Sequence, residues 1–334
     1  MTNLPSLKNI KPKGKFVLVR VDFNVSVVNG KIEDDFRIKK TLPTINFLKK
    51  KGAKIVLVSH LTEGRTKSLQ PMAKYLRVRF IPDINLDKIK KKITEMKNGK
   101  VVLLENIRNF KGEEKNDKNF AKKLASLGDI YVNEAFSVSH REHTSIIGVP
   151  KYLPSYAGFL FEQEIKKLST AFKPRHPFLL ILGGIKFKTK LGVLEKFLHI
   201  ADKIFIGGAL VVNALQMPIA QNPKIIFPAG DPAALDANIE TLEILKEKIK
   251  KAKFVLWNGP LGDYEKGFLK GTLELAKIIA KSKTWSIIGG GDTIAVIRKA
   301  KIPMSNFSFV STAGGAMLEF LANATLPGIK ALEK

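Results

Sequence analysis

Short runs of hydrophobic residues alternate along the whole chain with longer stretches in which hydrophobic and charged residues recur at helical spacing. In the first half, the hydrophobic runs cover residues 15–23, 53–60, 100–106 and 129–136. In the second half, they cover residues 177–184, 201–208, 253–260, 284–291 and 308–315. This alternation is typical of parallel sheets with helices on both faces. The pattern therefore predicts the α/β fold class, with two doubly wound, Rossmann-like parallel sheets.

The hydrophobic runs of the first half end in polar side chains. These residues are Asp22, Asn24, Ser59, His60, Glu105, Asn106, Asn133 and Glu134. In open parallel sheets, ligands bind beyond the carboxyl ends of the strands. We therefore predict that these side chains point toward one ligand site.

The hydrophobic runs of the second half end in glycine instead, as in the turns 183–184, 207–208, 289–291 and 314–315. Glycine lets the backbone approach a ligand closely, and a following helix start adds N–H groups that attract phosphate. A nucleotide is the natural ligand for such a site. The chain has neither a G-x-x-x-x-G-K-[ST] P-loop nor a G-x-G-x-x-G dinucleotide motif, so the predicted nucleotide site is of another kind.

The length of 334 residues suggests about two domains, and a helix-like stretch at 159–172 is predicted to connect them. No hydrophobic stretch approaches the roughly 18 residues that cross a bilayer. The start of the chain lacks a hydrophobic core followed by a cleavage site. The absence of cysteine excludes disulfides, thiolate metal sites and catalytic thiols. We therefore expect a cytoplasmic protein.

The charge balance is strongly basic, with 57 Lys and Arg against 30 Asp and Glu and a net charge of +27. Such an excess is found in proteins that bind nucleic acid or another polyanion. The lysines, however, lie between hydrophobic positions in helix-like stretches such as 86–97 and 243–253, which favours solvated helix faces. Only nine of the basic residues are arginines, and seven of these precede residue 150. Because the arginine fork grips carboxylates and phosphates, the first half is predicted to hold a small anion.

Nine local motifs become specific when they are taken together and in order. They are RVDFNV (20–25), DDFRI (34–38), SHL (59–61), LLENIR (103–108), EAFSVSHREHTS (134–145), GGIKFKTK (183–190), WNGPLGDYE (257–265), GGGDT (289–293) and STAGGAMLE (311–319). Over nearly its whole length, the chain resembles the phosphoglycerate kinases. The resemblance implies two α/β domains that face each other across a cleft. It assigns residues 1–154, completed by 315–334, to a substrate domain, 155–173 to an interdomain helix and 174–314 to a nucleotide domain.

The resemblance also implies a reaction: 1,3-bisphosphoglycerate and MgADP give 3-phosphoglycerate and MgATP, reversibly. The expected cofactor is Mg²⁺, and the expected partners are these small molecules, with no membrane and with nucleic acid bound only non-specifically. A monomer is expected. Phosphoryl transfer of this kind needs positioning and cations around the transferred group rather than a nucleophile on the enzyme.

Carried over by position, the resemblance places the substrate site on Asp22, Asn24, Arg37, His60, Arg65, Arg108, His140 and Arg141, with Arg20 as a weaker candidate. It places the nucleotide site on Gly183, Gly184, Lys186, Lys190, Gly207, Gly208, Asn258, Pro260, Glu265, Gly289, Gly290, Gly291, Asp292 and Thr293. In this assignment Glu265 holds the ribose and Asp292 binds Mg²⁺. The catalytic residues are Arg37, Lys190, Gly314 and Gly315.

Simpler interpretations of some of these residues stay open. Asp292 and Thr293 would also make a good helix N-cap, and Lys186, Lys188 and Lys190 could form one solvated edge. His140, Glu142 and His143 are not expected to hold a metal, because such close neighbours in sequence converge poorly on one ion.

Two departures from the family pattern keep an alternative function open. Where the family usually reads H-L-G-R-P, this chain has Glu63 at the arginine position and Arg65 two residues later. The stretch 208–257 is shortened where relatives supply part of the adenine pocket. The alternative is a kinase-like fold of weak or no activity that acts as a polyanion-binding protein.

Overall fold

The computed structural model describes residues 4–62 and 68–333. They fall into two compact units, Met1–Ile165 with Thr325–Lys334 and Lys166–Ala324. A six-stranded sheet lies at the centre of each unit. All strand pairs in both of these sheets are parallel, so the predicted α/β class is confirmed. None of the helices in the described residues is long and apolar enough to cross a membrane.

The sheet of the first unit has the strand order β5-β6-β4-β1-β7-β8. Its strands are β1 (Phe16–Arg20), β4 (Lys54–Val58), β5 (Arg79–Ile81), β6 (Val101–Leu104), β7 (Ile130–Asn133) and β8 (Ser155–Ala157), and a separate antiparallel pair is formed by β2 (Val27–Val28) and β3 (Lys31–Ile32). Its helices are α1 (Phe36–Lys50), α2 (Gln70–Leu76), α3 (Leu86–Thr94) and α4 (Lys118–Ala125). The first half of α5 (Phe159–Ser169) and the short α12 (Pro327–Lys330) also belong to this unit.

Strand β1 lies in the middle of this sheet, where Leu18 is in register with Val56 of β4 and with Tyr131 of β7. It reads as an almost continuous hydrophobic run because helices cover both faces of such a sheet. Capping side chains define where the helices begin. For example, Asp117 accepts a hydrogen bond from the Phe120 amide at the start of α4 (2.7 Å).

The sheet of the second unit has the strand order β11-β10-β9-β12-β13-β14. Its strands are β9 (Phe178–Leu182), β10 (Lys203–Ile206), β11 (Ile225–Ile226), β12 (Phe254–Asn258), β13 (Trp285–Gly289) and β14 (Phe309–Val310). Its helices are α6 (Lys188–Phe197), α7 (Leu210–Leu215), α8 (Ile239–Lys251), α9 (Lys270–Lys281), α10 (Gly291–Lys299) and α11 (Gly315–Asn323). Every residue of the central strands β9 and β12 is buried.

Each of the nine hydrophobic runs contains a strand. The predicted connecting helix is present as α5 followed by one 3-10 turn, Thr170–Phe172. The pattern missed β5, β8 and β11, which are the outermost strands on three of the four sheet edges. These strands have two or three residues each. So short a segment has no recognisable periodicity, and its pairing depends on a neighbour that is distant in sequence.

The division into units differs from the expected boundaries at the C-terminus. Helix α11, expected to belong to the first domain, lies in the second unit, where it packs against α6. The chain returns to the first unit only at Thr325. There the amide of Gly328 donates a hydrogen bond to the carbonyl of Ser139 (2.8 Å). The reason for the difference is the buried apolar face of α11, which includes Met317 and Phe320.

Candidate active site

In the first unit, several of the polar strand ends predicted to form one site lie together, but Glu105 and Glu134 are buried and accept hydrogen bonds from the Leu69 and Leu160 amides instead (3.0 and 3.2 Å). The residues after β1 and β4 are joined by a hydrogen bond from the Phe23 amide to Ser59 Oγ (2.9 Å). The segment after β6 joins them, because Asn106 Nδ2 donates to the carbonyl of Leu61 (2.8 Å). Strands β6, β4, β1 and β7 are neighbours in the sheet, so their carboxyl ends share one edge.

Asp22 and Arg37 form an ion pair at this edge. Asp22 follows β1 and is 5% exposed, and its Oδ2 lies 3.4 Å from Arg37 Nη1. Burial alone would raise the pKa of Asp22, but the Arg37 guanidinium and hydrogen bonds from Ser137 and the Asn24 amide lower it to about 2. The described bonds of Arg37 use only Nη1, which also donates to the carbonyl of Asn24 (2.8 Å). Asp22 therefore orients the guanidinium, and the rest of the arginine fork remains for an anion.

Asn24 and His60 lie at the same edge of the sheet as Asp22 and Arg37. Asn24 Oδ1 accepts hydrogen bonds from the amide and the hydroxyl of Thr62 (2.8 and 3.1 Å), which links the turn after β1 to the turn after β4. His60 is 2% exposed. Burial and the positive charges of Arg20, Arg108 and Arg141 lower the pKa of His60 well below its usual value, so the ring is neutral.

Arg108 and Arg141 add two more cations beside His140 and His143. Burial and the charge of Arg141 lower the pKa of Arg108, whose Nε lies 3.4 Å from Glu114. Among the described residues, Arg141 has no ion pair. Burial and the neighbouring arginines lower the pKa values of His140 and His143 to about 4, and His140 Nδ1 is buried without a hydrogen-bond partner. An arginine without an ion pair, among other cations, attracts an anion.

Two residues singled out from the sequence cannot be placed in this cluster. Arg65, a predicted substrate residue, and Glu63, the departure from the family pattern, both lie outside the described residues. Their predicted roles stay predictions.

In the second unit, the glycine turns at the ends of neighbouring strands touch one another through their backbones. A Cβ at Gly183 would lie 2.2 Å from the carbonyl oxygen of Pro260, and one at Gly259 would lie 2.1 Å from that of Gly183. A Cβ at Gly208 would lie 2.9 Å from the Gly184 nitrogen. Only residues without a side chain allow this approach, which brings the ends of β9, β10 and β12 to one place.

The lysines of the segment after β9 do not form one solvated edge. Lys186 and Lys188 are exposed, whereas Lys190 is 8% exposed. Its Nζ lies 3.6 Å from the position that a Cβ of Gly184 would take. Burial lowers the pKa of Lys190, while the charge of Asp292 raises it. Lys190 is therefore the lysine that belongs to the glycine turns.

Helix α10 begins at the GGGDT segment without a capping side chain. Gly290, at the N-cap position, has φ +100°, and neither Asp292 nor Thr293 caps the helix. The hydroxyl of Thr293 is buried and has no hydrogen-bond partner. A Cβ on Gly314 would lie 3.8 Å from the Gly291 nitrogen, so the start of α11 meets the same turn. Uncapped amides and an unpartnered hydroxyl suit a phosphate group.

The remaining predicted nucleotide residues lie around these turns. Gly207 follows β10, and the Pro260 carbonyl accepts a hydrogen bond from the Gly184 amide (2.7 Å). Asn258 is buried, and its Nδ2 contacts the sulfur of Met317 (3.7 Å). Glu265 is exposed in the turn after β12. Part of the shortened stretch, 228–238, lies against Gly207 and Gly208.

The search for metal-binding side chains and the cavity between α8 and α9 add little information on the site. No group of three or more His, Asp or Glu side chains that could hold a metal occurs within 4–62 and 68–333. Mg²⁺ does not require one, since it is commonly held by one or two carboxylates and substrate phosphates. The exposed Asp292, beside the uncapped helix start, fits that mode. A cavity of about 890 Å³ lies between α8 and α9, but none of the predicted site residues lines it.

Comparison with known proteins shows what kind of protein combines these two sites. The family model of phosphoglycerate kinase matches residues 7–225 and 216–324. The phosphoglycerate kinase of Borrelia garinii subsp. bavariensis is 40% identical, over 98% of this chain and the whole of that protein. The enzyme of Dictyoglomus turgidum is 39% identical, over 96% of each chain. The chain belongs to the phosphoglycerate kinase family.

Solved structures of phosphoglycerate kinases also match the fold of this chain. The one from Pyrococcus horikoshii OT3 matches with a TM-score of 0.89 and 30% identity, over 99% of this chain and 98% of that one. The one from Coxiella burnetii matches with a TM-score of 0.83 and 32% identity, over 98% of both chains. The resemblance to phosphoglycerate kinases inferred from the motifs is therefore confirmed.

The chain is shorter than its phosphoglycerate kinase relatives. The alignment with the Borrelia garinii enzyme runs over 393 positions, whereas this chain has 334 residues. The two segments matched by the family model overlap at 216–225, within the stretch 208–257 that the sequence indicates to be shortened. The glycine turns 183–184 and 289–291, Lys190 and Asp292 all lie outside that stretch.

The motifs of the phosphoglycerate kinase family did not reveal several residues that shape the site. Ser137 donates a hydrogen bond to Asp22, Gly259 lies against Gly183, and Met317 contacts Asn258. Gly259 could have been found from its position directly after β12, because glycine also directly follows β9, β10 and β13. Ser137 and Met317 lie within two of the motifs, but the sequence assigns them no role, because each role arises from a contact across more than fifty residues.

Gly259→Ala should destabilise the second unit by about 2 to 4 kcal/mol, because the new Cβ would collide with the Gly183 carbonyl and because φ is +97° at this position. Gly291→Ala is the matched control, since a Cβ there meets nothing within 4 Å. It should change the free energy of unfolding by less than about 1 kcal/mol. Chemical denaturation measures both variants, and equal losses would contradict the proposed backbone contact.

The free energy of unfolding should fall as the pH drops from about 6.5 to about 4. His140 and His143 have folded-state pKa values of about 4, below the value of about 6.5 in an unfolded chain. In this window the unfolded chain binds protons that the folded chain does not, so acid favours unfolding. Replacing both residues by Gln should flatten the pH dependence. Replacing the exposed His199 by Gln should leave the pH dependence unchanged. Equal slopes of the free energy of unfolding against pH for the two variants would contradict the assignment of this dependence to His140 and His143.

Proposed function

We propose that this chain catalyses the reversible transfer of a phosphoryl group from 1,3-bisphosphoglycerate to ADP, which gives 3-phosphoglycerate and ATP. Family membership over nearly the full length supports this reaction. The observation that carries it is the pair of sites. One unit has an arginine cluster in which Arg37 is bonded through Nη1 only and Arg141 has no ion pair within the described residues, and the other has an uncapped helix start among glycine turns. Together these sites suit a small phosphorylated acid and a nucleotide.

On the acid side, Arg37, Arg108 and Arg141 would hold the charged ends of the substrate. Asp22 and the Asn24 carbonyl orient Arg37 from behind, so its fork needs little rearrangement when an anion arrives. His140 and His143 are neutral at physiological pH and would contribute hydrogen bonds rather than charge. Arg65 is proposed for this set from the resemblance alone.

On the nucleotide side, the amides at the start of α10 and the hydroxyl of Thr293 would bind phosphate oxygens. Gly183, Gly184, Gly207 and Gly208 would let the nucleotide approach the backbone, and Glu265 would bind the ribose. Asp292 would hold Mg²⁺. The ion, when bound, neutralises charge on the transferred phosphate and the nucleotide phosphates.

The chemistry asks the protein for positioning and positive charge. The substrate carboxylate and the nucleotide phosphate are themselves nucleophile and leaving group, so no covalent enzyme intermediate is needed. Lys190 is buried beside Gly184 and interacts with the charge of Asp292, which supports a role for this cation in binding phosphate. Arg37 and Lys190 would stabilise the charge on the transferred group, with help from the amides of Gly314 and Gly315.

Direct transfer requires the two bound groups to meet, since each candidate site belongs to a different unit. We therefore also propose that the protein becomes more compact when both substrates are bound, which would exclude water from the acyl phosphate. Small-angle scattering checks this. An unchanged radius of gyration with 3-phosphoglycerate and MgATP together would contradict it.

The main competing function is binding of nucleic acid, which the net charge of +27 suggests. The relatives favour the kinase. A polyanion-binding protein would bind duplex DNA with an affinity that falls steeply with salt and would show no turnover. A salt titration with DNA beside a coupled assay of ATP formation separates the two functions. Cytoplasmic location and a monomeric state stay predictions.

Arg37→Ala should lower kcat by about a hundredfold or more, because it removes positive charge that acts on the transition state. The matched control is Arg79→Ala, since Arg79 is exposed on β5 at the opposite end of the strands. The coupled assay with 1,3-bisphosphoglycerate and MgADP measures both. Similar rates for the two variants would exclude the proposed role of Arg37.

Lys190→Ala should also lower kcat by about a hundredfold or more. Lys188→Ala is the control two positions away on the same helix, with its side chain exposed. It should leave kcat within about twofold of the original value. If the exposed lysine proved as important as the buried one, Lys190 would not be the residue that follows the phosphoryl group.

A further inference from the structure

Arg20 is enclosed by protein groups at the end of β1. It is 2% exposed. Its Nε donates a hydrogen bond to Ser145 Oγ (2.8 Å), its Nη1 donates to the carbonyl of Val21, and its Nη2 lies 3.2 Å from Nδ1 of His60. All three guanidinium nitrogens are thus engaged within the protein. The sequence made Arg20 a weaker substrate-binding candidate, but this guanidinium is directed at His60 rather than presented to a ligand.

A second group fixes the orientation of this guanidinium. Glu113, 1% exposed, accepts hydrogen bonds from the hydroxyl of Ser145 (2.5 Å) and from its amide (2.9 Å). Because the Ser145 hydroxyl donates its single proton to Glu113, its oxygen is left to accept from Arg20. Each hydrogen bond therefore has one possible direction: Ser145 donates to Glu113, and Arg20 donates to Ser145. Arg20 also contacts His60 through its Nη2.

The direction of the last bond follows from the chemistry of the two groups. A guanidinium is always protonated in proteins and has no acceptor, so Nδ1 of His60 must accept. The ring is neutral and carries one proton, which is then on Nε2. Asp22 does not compete for a proton on Nδ1, because its Oδ1 is 3.8 Å away, beyond hydrogen-bond distance.

We propose that Arg20 is a positioning residue that holds His60 in the Nε2–H tautomer, so that the ring offers a substrate oxygen a permanent hydrogen-bond donor. The identity of that substrate rests on the proposed function, whereas the tautomer does not. A second proton on the ring would set Nδ1–H against the N–H of Arg20.

The charges around the ring keep this state over the physiological pH range. Arg20, Arg108 and Arg141 all oppose a positive charge on His60, and Asp22 alone favours it. Burial acts in the same direction as the arginines. We therefore expect the Nε2–H donor to be unchanged between about pH 6 and 8.

Long-range ¹H–¹⁵N correlation spectra of the full chain, labelled at the histidine nitrogens, test the tautomer directly. The chain has five histidines, and the His60 signals are those that disappear in His60→Gln. His176 is an internal reference, because it is expected to carry its proton on Nδ1 rather than on Nε2 alone. Its Nδ1 lies 2.6 Å from Asp202 Oδ2, and since a carboxylate accepts, this Nδ1 carries a proton. We expect His60 to show a bare Nδ1 and a protonated Nε2, and His176 to show a protonated Nδ1.

Variants of Arg20 show whether this residue is what holds His60 in the Nε2–H tautomer. Arg20→Met combined with Glu113→Gln removes both charges of the network, so that no charge is left buried and unpaired. With Arg20 gone, Asp22 is the nearest charged group to Nδ1, and the Nδ1–H form of His60 should appear. Arg20→Lys keeps the charge but lacks the fork that reaches Ser145, Val21 and His60 together, and it should show the same change.

The kinetic result separates positioning from simple stabilisation. In the double variant, KM for 3-phosphoglycerate should rise by about tenfold and should become dependent on pH, with a smaller change in kcat. A purely structural role would lower the melting temperature but leave the tautomer unchanged.

Two results would overturn the proposal. One is a protonated Nδ1 on His60 in the unaltered protein, a measurement that needs no variant to fold. The other is an unchanged Nε2–H tautomer in both Arg20 variants. The spectra are recorded without substrate, so an inactive protein with the expected tautomer would contradict the proposed function and not this inference.

Discussion

Buried positive charge is the constraint on which the first unit depends. Arg20 and Arg37 extend from β1 and α1 toward the same edge of the sheet as Asp22, and a guanidinium away from water needs acceptors around it. Asp22 supplies one for Arg37, and Ser145, which is held by Glu113, supplies one for Arg20. For Asp22 the nearby charge of Arg37 outweighs burial and its pKa falls, whereas for Glu113 burial dominates and its pKa rises. Asp22 thus orients Arg37 directly, and Glu113 orients Arg20 through Ser145.

The second unit prepares for phosphate in a different way. Its strand ends contribute few charges and instead bring backbones so close together that side chains are excluded, as at Gly183 and Gly259. What remains at the start of α10 is a set of amides, the Thr293 hydroxyl and one buried lysine. In both units the sheet is parallel and the candidate site lies at the carboxyl ends of the strands. The candidate site of the first unit is formed mainly by side chains, and that of the second unit mainly by the main chain.

The shortened stretch of this chain touches the glycine turns at Gly207 and Gly208, but it contains none of Gly183, Lys190 and Thr293. Residues 208–257 include only β11, with two residues at a sheet edge, α7, α8 and most of β12. The six-stranded sheet is still complete, and its central strands β9 and β12 pair with each other along five residues. A family member can therefore lose length here without losing the turns at 183–184 and 289–291, since those turns are held by contacts among strand ends.

The amino-acid sequence alone was enough to predict the fold class, nine of the twelve strands of the two sheets and the family, because burial periodicity and glycine at strand ends are properties of neighbouring residues. It could not separate Lys190 from Lys186, give Arg20 its inward orientation, find the edge strands or assign α11 to the second unit. Those outcomes depend on contacts between residues far apart in the chain, such as Arg20 with Ser145 or Asn258 with Met317. Whether a charge is buried or exposed, and which group it meets, is decided only when distant segments pack together.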